Sequence, residues 1–239
     1  MEEKMKKKQS GKLKRWLGGI ALTLLILISL GLIFNQQIKN YLVDSYKPSV
    51  SQTSIKKNNK KQGNFDFSSV KSLDFQSVTK ARLNKQKIHV IGEISIPAIK
   101  MNLPIAKGVD NTVLALAAGT MRENMKMGQG NYALAGHHMN NKKILFSPLY
   151  WKAKVGQKIY VTNLKHVYEY KIYKRTFIKA TRLDVVKNTP HKKIITLITC
   201  DATGTNRLMI RGKHVKTMKF KQAPEKVQKQ LSGSFNNKY

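Results

Sequence analysis

Acid, cysteine and long apolar runs are all scarce in this chain. Its 239 residues hold 12 Asp and Glu against 45 Lys and Arg, with one cysteine and six prolines. A single cysteine, Cys200, excludes a disulfide framework and a zinc site built from cysteines. The shortage of acid leaves a formal charge of +33. That excess fits a nucleic-acid binder, a protein facing an anionic membrane or wall polymer, or a lysine-rich background with no specific target. No internal repeat is visible. Hydrophobic residues make up 41%, enough for a real core, so wholesale disorder is excluded. The length fits one domain with extensions, or two small domains.

The one long apolar run narrows the choice of compartment. Trp16 to Phe34 is 19 positions without a charge. As a helix it would be ~28 Å long, close to the ~30 Å hydrocarbon core of a bilayer. Seven basic residues (Lys4, Lys6, Lys7, Lys8, Lys12, Lys14 and Arg15) precede it against Glu2 and Glu3. By the positive-inside rule this end is cytoplasmic, and Trp16 suits the interface. A cleaved signal peptide would have a shorter apolar region ending in small residues, but this run ends in Phe34-Asn35-Gln36-Gln37. The reading is therefore an uncleaved, single-pass signal-anchor in the plasma membrane, with residues 1–15 a cytoplasmic basic tail and 16–34 the span. The exported remainder carries +28 once the seven basic and two acidic residues of the tail are removed. Nucleic acid is then not expected as a partner, whereas anionic lipid and wall polymers are natural neighbours.

Residues 35–64 are polar, with Lys56-Lys57-Asn58-Asn59-Lys60-Lys61 at their centre, and read as an extracellular stalk. Val70, Leu73, Val78, Ala81 and Leu83 recur at mostly helical spacing, which predicts one helix over about 66–86. From Ile88 the chain breaks into short runs rich in Val, Ile, Tyr and Thr. Strands are expected at Ile88–Ile96, Met101–Ile105, Tyr132–His137, Gln157–Thr162, Val167–Ile178, Ile194–Cys200 and Arg207–Val215, and short helices at Thr112–Ala118 and Ile144–Trp151. Many short strands with few helical connections argue for a mostly β head, a closed barrel or a sandwich. The expected head covers 65–222, and 223–239 reads as a polar tail.

Cys200 stands where an apolar strand, Ile194–Cys200, meets a loop, Asp201–Asn206. That place suits a nucleophile, although a free Cys is also a small buried hydrophobe in many proteins. A lone thiol outside the cell is an oxidation liability, which asks for a reason. A thiol of pKa about 8.5 needs a base or a cation to become reactive at neutral pH. His137 and His138 end one expected strand, and neighbours on a strand face opposite sides, so only one can point at Cys200. Arg207 and Arg211 lie in the next strand. A hairpin over 194–215 would bring Arg207 beside Cys200, with Arg211 roughly 13 Å further along.

These residues resemble a known family. Thr196-Leu197-Ile198-Thr199-Cys200 matches the TLxTC signature of class A sortases, membrane-anchored transpeptidases of Gram-positive bacteria. Ala135-Gly136-His137 and Arg207 match in the same order, and the resemblance covers about residues 65–220. It implies a sortase-type closed β-barrel of about eight strands with short helices. It also implies that Cys200 attacks the Thr–Gly carbonyl of an LPxTG-type sorting signal on a surface protein and forms a thioester. His137 would be the general acid/base and Arg207 would bind substrate and stabilise the oxyanion. An amine on a peptidoglycan precursor such as lipid II would then resolve the thioester. Thr199 is implied to support the site, and Ala135, Ile198, Val185 and Val186 to line the groove for the Leu-Pro part of the signal.

The register of Ala-Gly-His leaves His138 non-catalytic, and Arg211 reads as structural or solvated. Some class A members bind calcium through carboxylates. Here Asp110, Glu123, Glu169, Asp184 and Asp201 are the nearest in sequence, too few in a +28 background, so no cofactor and no calcium dependence are expected. The contrasting reading is a membrane-tethered basic module that binds anionic wall polymers, its cysteine inert.

Overall fold

The computed structural model describes residues 2–67, 70, 72–201, 204–231, 235 and 237, with side chains from Arg15 onward. The chain divides into two units, Met1–Lys39 and Asn40–Tyr239. In the first, α1 (Glu2–Ile33) runs unbroken through the basic segment and the apolar run. Its stretch Arg15–Ile33, with mean hydropathy 2.4 and nothing buried, is long and apolar enough to cross a membrane. α2 (Asn35–Asp44) follows across the boundary between the units.

The expected stalk over 35–64 needs correction in its second part. From Asn40 the chain lies against the head, with Val43, Tyr46 and Ile55 buried. In α3 (Gln52–Asn59), Ser51 caps the helix through a reciprocal pair of bonds with Ser54. Asn58 Nδ2 donates to Val90 O at 2.9 Å, and Gln52 Nε2 to Leu164 O at 2.9 Å. Isolated apolar anchors in short helices make no period, yet burying a side chain of this kind stabilises by about 1.5–3 kcal/mol. The helix expected over 66–86 is also shorter. α4 spans Phe75–Leu83, started by Asp74, whose carboxylate accepts from Ser77 N at 2.7 Å. Phe67 and Val70 pack elsewhere, against an apolar cluster with Ala135 and Ile198. The sequence spacing had merged two surfaces into one. Ser68, Ser69 and Lys71 of this expected helix lie outside the described residues.

The head is a closed barrel of eight strands: β1 (Val90–Ile96), β2 (Met101–Ala106), β3 (Ala118–Thr120), β4 (Asn131–Ala135), β5 (Lys158–Thr162), β6 (His166–Lys179), β7 (Ile194–Cys200) and β8 (Asn206–Lys219). They close in the order β1-β2-β3-β4-β7-β8-β6-β5. α5 (Asn111–Leu116) and α6 (Ser147–Lys152) sit in the connections. The strand β3 was not expected, because three small or polar residues carry no β pattern. β4 ends at Ala135, so both histidines lie beyond the strand rather than in it.

The tail expected over 223–239 is likewise not free where it is described. α7 (Glu225–Leu231) buries Val227 and Leu231 with Tyr160, Val167 and Ala223. Asn237 N donates to Asn102 O at 3.0 Å. Ser232–Ser234, Asn236, Lys238 and Tyr239 are outside the described residues.

Alternation sorts the strands that matter here. Ile195 and Leu197 of β7, Tyr132 and Leu134 of β4, and Leu208 and Ile210 of β8 pack in the main core with Ile94, Ile96 and Leu103. Ile198, Ala133, Ala135 and Met209 belong to a separate apolar cluster on the outer face. Cys200, His137, Arg207 and Arg211 are in phase with this second set.

Candidate active site

Strand pairing brings the three chemical residues to one end of the barrel. β4 and β7 are parallel, with Ala135 opposite Ile198. The pairing continues one residue further, as Gly136 N donates to Ile198 O at 3.1 Å. His137 and Cys200 therefore each follow the Ala135–Ile198 pair by two residues. β7 and β8 are antiparallel, and Cys200 is the Cα partner of Arg207. The hairpin expected over 194–215 is thus present.

Gly136 has a packing reason. A Cβ there would stand 2.6 Å from Phe146 Cγ, so only glycine lets that ring pack against the backbone before His137. Phe146 N in turn donates to His137 O at 3.1 Å, which fixes the chain just past the strand.

Cys200, His137 and Arg207 line one groove of about 430 Å³. Thr199, Ala135, Ile198, Val185 and Val186 line it too, so the residues expected to carry the chemistry and to line the binding groove meet there. Cys200 is partly buried and forms no disulfide. His137 is 9% exposed, and its Nε2 has no hydrogen-bond partner among the described residues. Burial pushes its pKa down to about 4, because a sealed imidazolium loses its hydration. The ring is therefore neutral at physiological pH and able to take a proton.

Arg207 is held by its own loop. Its Nη1 donates to Gly204 O at 2.8 Å and to Asn206 O at 3.1 Å. The loop is closed by Asp201, whose N donates to Asn206 O at 3.0 Å and whose Oδ2 accepts from Asn206 N at 3.2 Å. Ala202 and Thr203 of this loop lie outside the described residues. Thr199 is 2% exposed, and its Oγ1 is buried without a hydrogen-bond partner among the described residues.

One wall of the groove is the 3-10 turn Leu183–Val186, which buries Val185 and Val186. These pack with Ala135, Ile198, Met121, Leu114 and Met209. Phe67, Val70, Leu114, Met121 and Ile178 also line the groove. They come from four separate segments that no local motif joins, so the sequence does not mark them as groove residues. His138 is not among the lining residues. Its ring stacks on Tyr150 with centroids 4.7 Å apart. Arg211 is structural rather than solvated, its Nη2 donating to Val185 O at 2.9 Å.

Among the described residues, no group of three or more His, Cys, Asp or Glu is placed to hold a metal ion. Asp184, the acid of the groove wall, is taken by Arg182 at 2.6 Å. A partly buried cysteine, a neutral imidazole and a guanidinium around an apolar groove can perform acyl transfer: nucleophile, proton carrier and anion stabiliser beside a binding surface.

Comparison with known proteins agrees with this geometry. Residues 94–215 match the family described as "Sortase domain". The chain is 41% identical over 233 residues to sortase A of Streptococcus agalactiae, covering 93% of each chain. It is 40% identical over 223 residues to sortase A of Listeria monocytogenes, covering 89% of this chain and 95% of the relative. The solved structure of the Listeria monocytogenes sortase A superposes with a TM-score of 0.54 at 39% identity, covering 59% of this chain and 96% of that one. On the barrel, the signature residues gathered at its end and this likeness over nearly the whole length, the chain belongs to the sortase family and is a sortase transpeptidase.

Proposed function

We propose that this transpeptidase cleaves LPxTG-type sorting signals of surface proteins between Thr and Gly and passes the new C-terminal Thr to an amine of a peptidoglycan precursor such as lipid II. One observation carries the reading: Cys200, His137 and Arg207 line a single groove together with an apolar surface that could take the Leu and Pro of the signal.

The chemistry follows from the state of each group. His137, neutral at pH 7, accepts the thiol proton of Cys200. The resulting thiolate attacks the Thr carbonyl carbon, and the carbonyl electrons move to oxygen. Arg207 supplies positive charge and N–H donors to that oxyanion, a type of interaction commonly worth about 3–4 kcal/mol of barrier. The oxyanion collapses, the C–N bond to Gly breaks, and His137 returns its proton to the departing amine. A thioester on Cys200 remains. The acceptor amine then attacks it, gives its proton to His137, and expels the Cys200 thiolate. Because burial disfavours the imidazolium, the thiolate–imidazolium pair is a minor form of the free enzyme, which protects the sulfur from oxidation between turnovers. No step requires a metal, and we expect none to be needed.

The apolar segment Arg15–Ile33 would anchor the enzyme in the plasma membrane, with the basic N-terminus cytoplasmic and the head outside. There it would meet substrates that are themselves membrane-bound, and the positioned amine would outcompete water through its high local concentration.

The test is a quenched LPETG-type peptide incubated with the full chain in detergent micelles, with and without triglycine. The expected result is cleavage, with a triglycine adduct replacing the hydrolysis product. An intact peptide, or undiminished cleavage by Cys200→Ala, would overturn the reading.

A further inference from the structure

Thr196, the first residue of the cysteine signature, has no part in the chemistry above. Its hydroxyl begins a hydrogen-bond network that ends at the groove wall. Thr196 Oγ1 donates to Asn131 Oδ1 at 2.7 Å. This sets the amide so that Asn131 Nδ2 donates to Val185 O at 2.9 Å and to Lys187 O at 3.0 Å. Arg211 Nη2 donates to the same Val185 O at 2.9 Å. Arg122 Nε donates to Val186 O at 2.7 Å, and its Nη2 to the backbone carbonyl of Asn131 at 2.7 Å. Thr196 is 0% and Asn131 1% exposed, so the Thr196–Asn131 and Asn131–Val185 bonds are shielded from competing water, while those of Arg122 and Arg211 are partly buried.

The turn Leu183–Val186 needs this support. A 3-10 turn of four residues leaves its last carbonyls without partners of its own. It also packs little apolar surface: Leu183 is 60% exposed, and the Arg182 and Asp184 side chains face solvent. Only Val185 and Val186 are buried, and they lie on the groove side with Ile198 and Ala135. Three donors from three parts of the chain therefore hold the two valines where the groove needs them.

We propose that Thr196, Asn131, Arg122 and Arg211 are positioning residues that keep Val185 and Val186 as a preformed wall for the apolar residues of the sorting signal. The signal then binds without first ordering the turn, an ordering that would otherwise be charged against its affinity. The first threonine of the signature serves binding, and the cysteine four residues on serves chemistry. This inference rests on the groove being the signal's binding surface.

The experiment uses the full chain in detergent micelles and four readouts: kcat and KM for a quenched LPETG-type peptide, the rate of Cys200 alkylation by iodoacetamide, and amide hydrogen exchange along the chain. The variants are Thr196→Val, which removes the hydroxyl at constant shape, and Arg211→Met, at a partly exposed site where folding is less at risk. Thr196→Ser is the rescue. Both disruptive variants are expected to raise KM about tenfold, with kcat and alkylation changed by less than about twofold. Exchange at 183–187 should quicken about tenfold while β7 and β8 keep their protection. Thr196→Ser should restore the wild-type KM. With a wild type that cleaves, an unchanged KM in the two disruptive variants, unchanged exchange at 183–187, or a joint fall in kcat, alkylation and strand protection would overturn the inference. A wild type that leaves the peptide intact would instead overturn the signal-binding reading beneath it.

Discussion

Two of the covered outer flanks of the barrel are built differently. Over β1 and β5, α7 closes the surface with Val227 and Leu231 against Tyr160 and Val167. Over β4, β7 and β8 the cover is assembled from separate segments around an open groove, among them a short turn held by hydrogen bonds from Asn131, Arg122 and Arg211. On β1, Glu93 is 2% exposed, with Oε2 lacking a hydrogen-bond partner among the described residues. Burial raises its pKa to about 8, so the carboxyl is largely protonated near neutral pH. The open flank leaves Cys200 partly buried in a groove that it shares with a neutral imidazole. Different strands of one barrel thus serve stability on one flank and reactivity on the other.

The largest expected effect is on the open flank. Cys200→Ala should lower peptide cleavage by at least about 10⁴-fold and His137→Ala by about 10³–10⁴-fold, with the thermal midpoint hardly moved, as read by initial rates and calorimetry. If either variant lost stability in step with activity, the division between the flanks would fail. Next comes a contrast within one strand. Leu197→Ala, in the main core, should cost about 2–5 kcal/mol of stability by denaturant titration. Ile198→Ala, beside the groove, should cost less stability and raise peptide KM more. Arg207→Ala should reduce kcat by about 10²–10³-fold, with Arg207→Lys recovering part of it.

The next effect belongs to β1. Folded Glu93 holds its proton to about pH 8, whereas the unfolded group releases it near its ordinary value of 4.5. Between those values the unfolded chain binds fewer protons, so this residue makes stability fall as pH rises. Glu93→Gln should therefore stabilise the head more at pH 8 than at pH 5, by a difference of roughly 3 kcal/mol, measured by denaturant titration at both. A gain equal at the two pH values would contradict the buried protonated acid. The smallest expected effect is none: chelation with EGTA should leave the cleavage rate unchanged.

Much of this was legible in the sequence, for identifiable reasons. The bounds of the strand Ile194–Cys200 are legible because a run of Ile, Leu and Thr with no charge suits a strand buried on both faces. The catalytic candidates were legible because Thr196–Cys200 and Ala135–His137 are local motifs that strand pairing then superposes. Val43, Tyr46 and Ile55 were hidden in a polar stretch, since single anchors carry no periodicity. Phe67 and Val70 were assigned to a helix because apolar spacing does not say which surface each residue meets. The clamp on Val185 and Val186 was invisible, as Arg122, Asn131 and Arg211 share no spacing and act on backbone carbonyls, which the sequence does not display.

The central claim is that Cys200 carries the acyl group of a sorting signal. Its most direct test is intact mass of the full chain after acid quench of a reaction with excess LPETG-type peptide and no acceptor amine. The account predicts an adduct equal to the peptide's N-terminal part through Thr, less water, mapped to Cys200 and released by hydroxylamine. No adduct from a wild type that cleaves the peptide, or an adduct that survives Cys200→Ala, would contradict it.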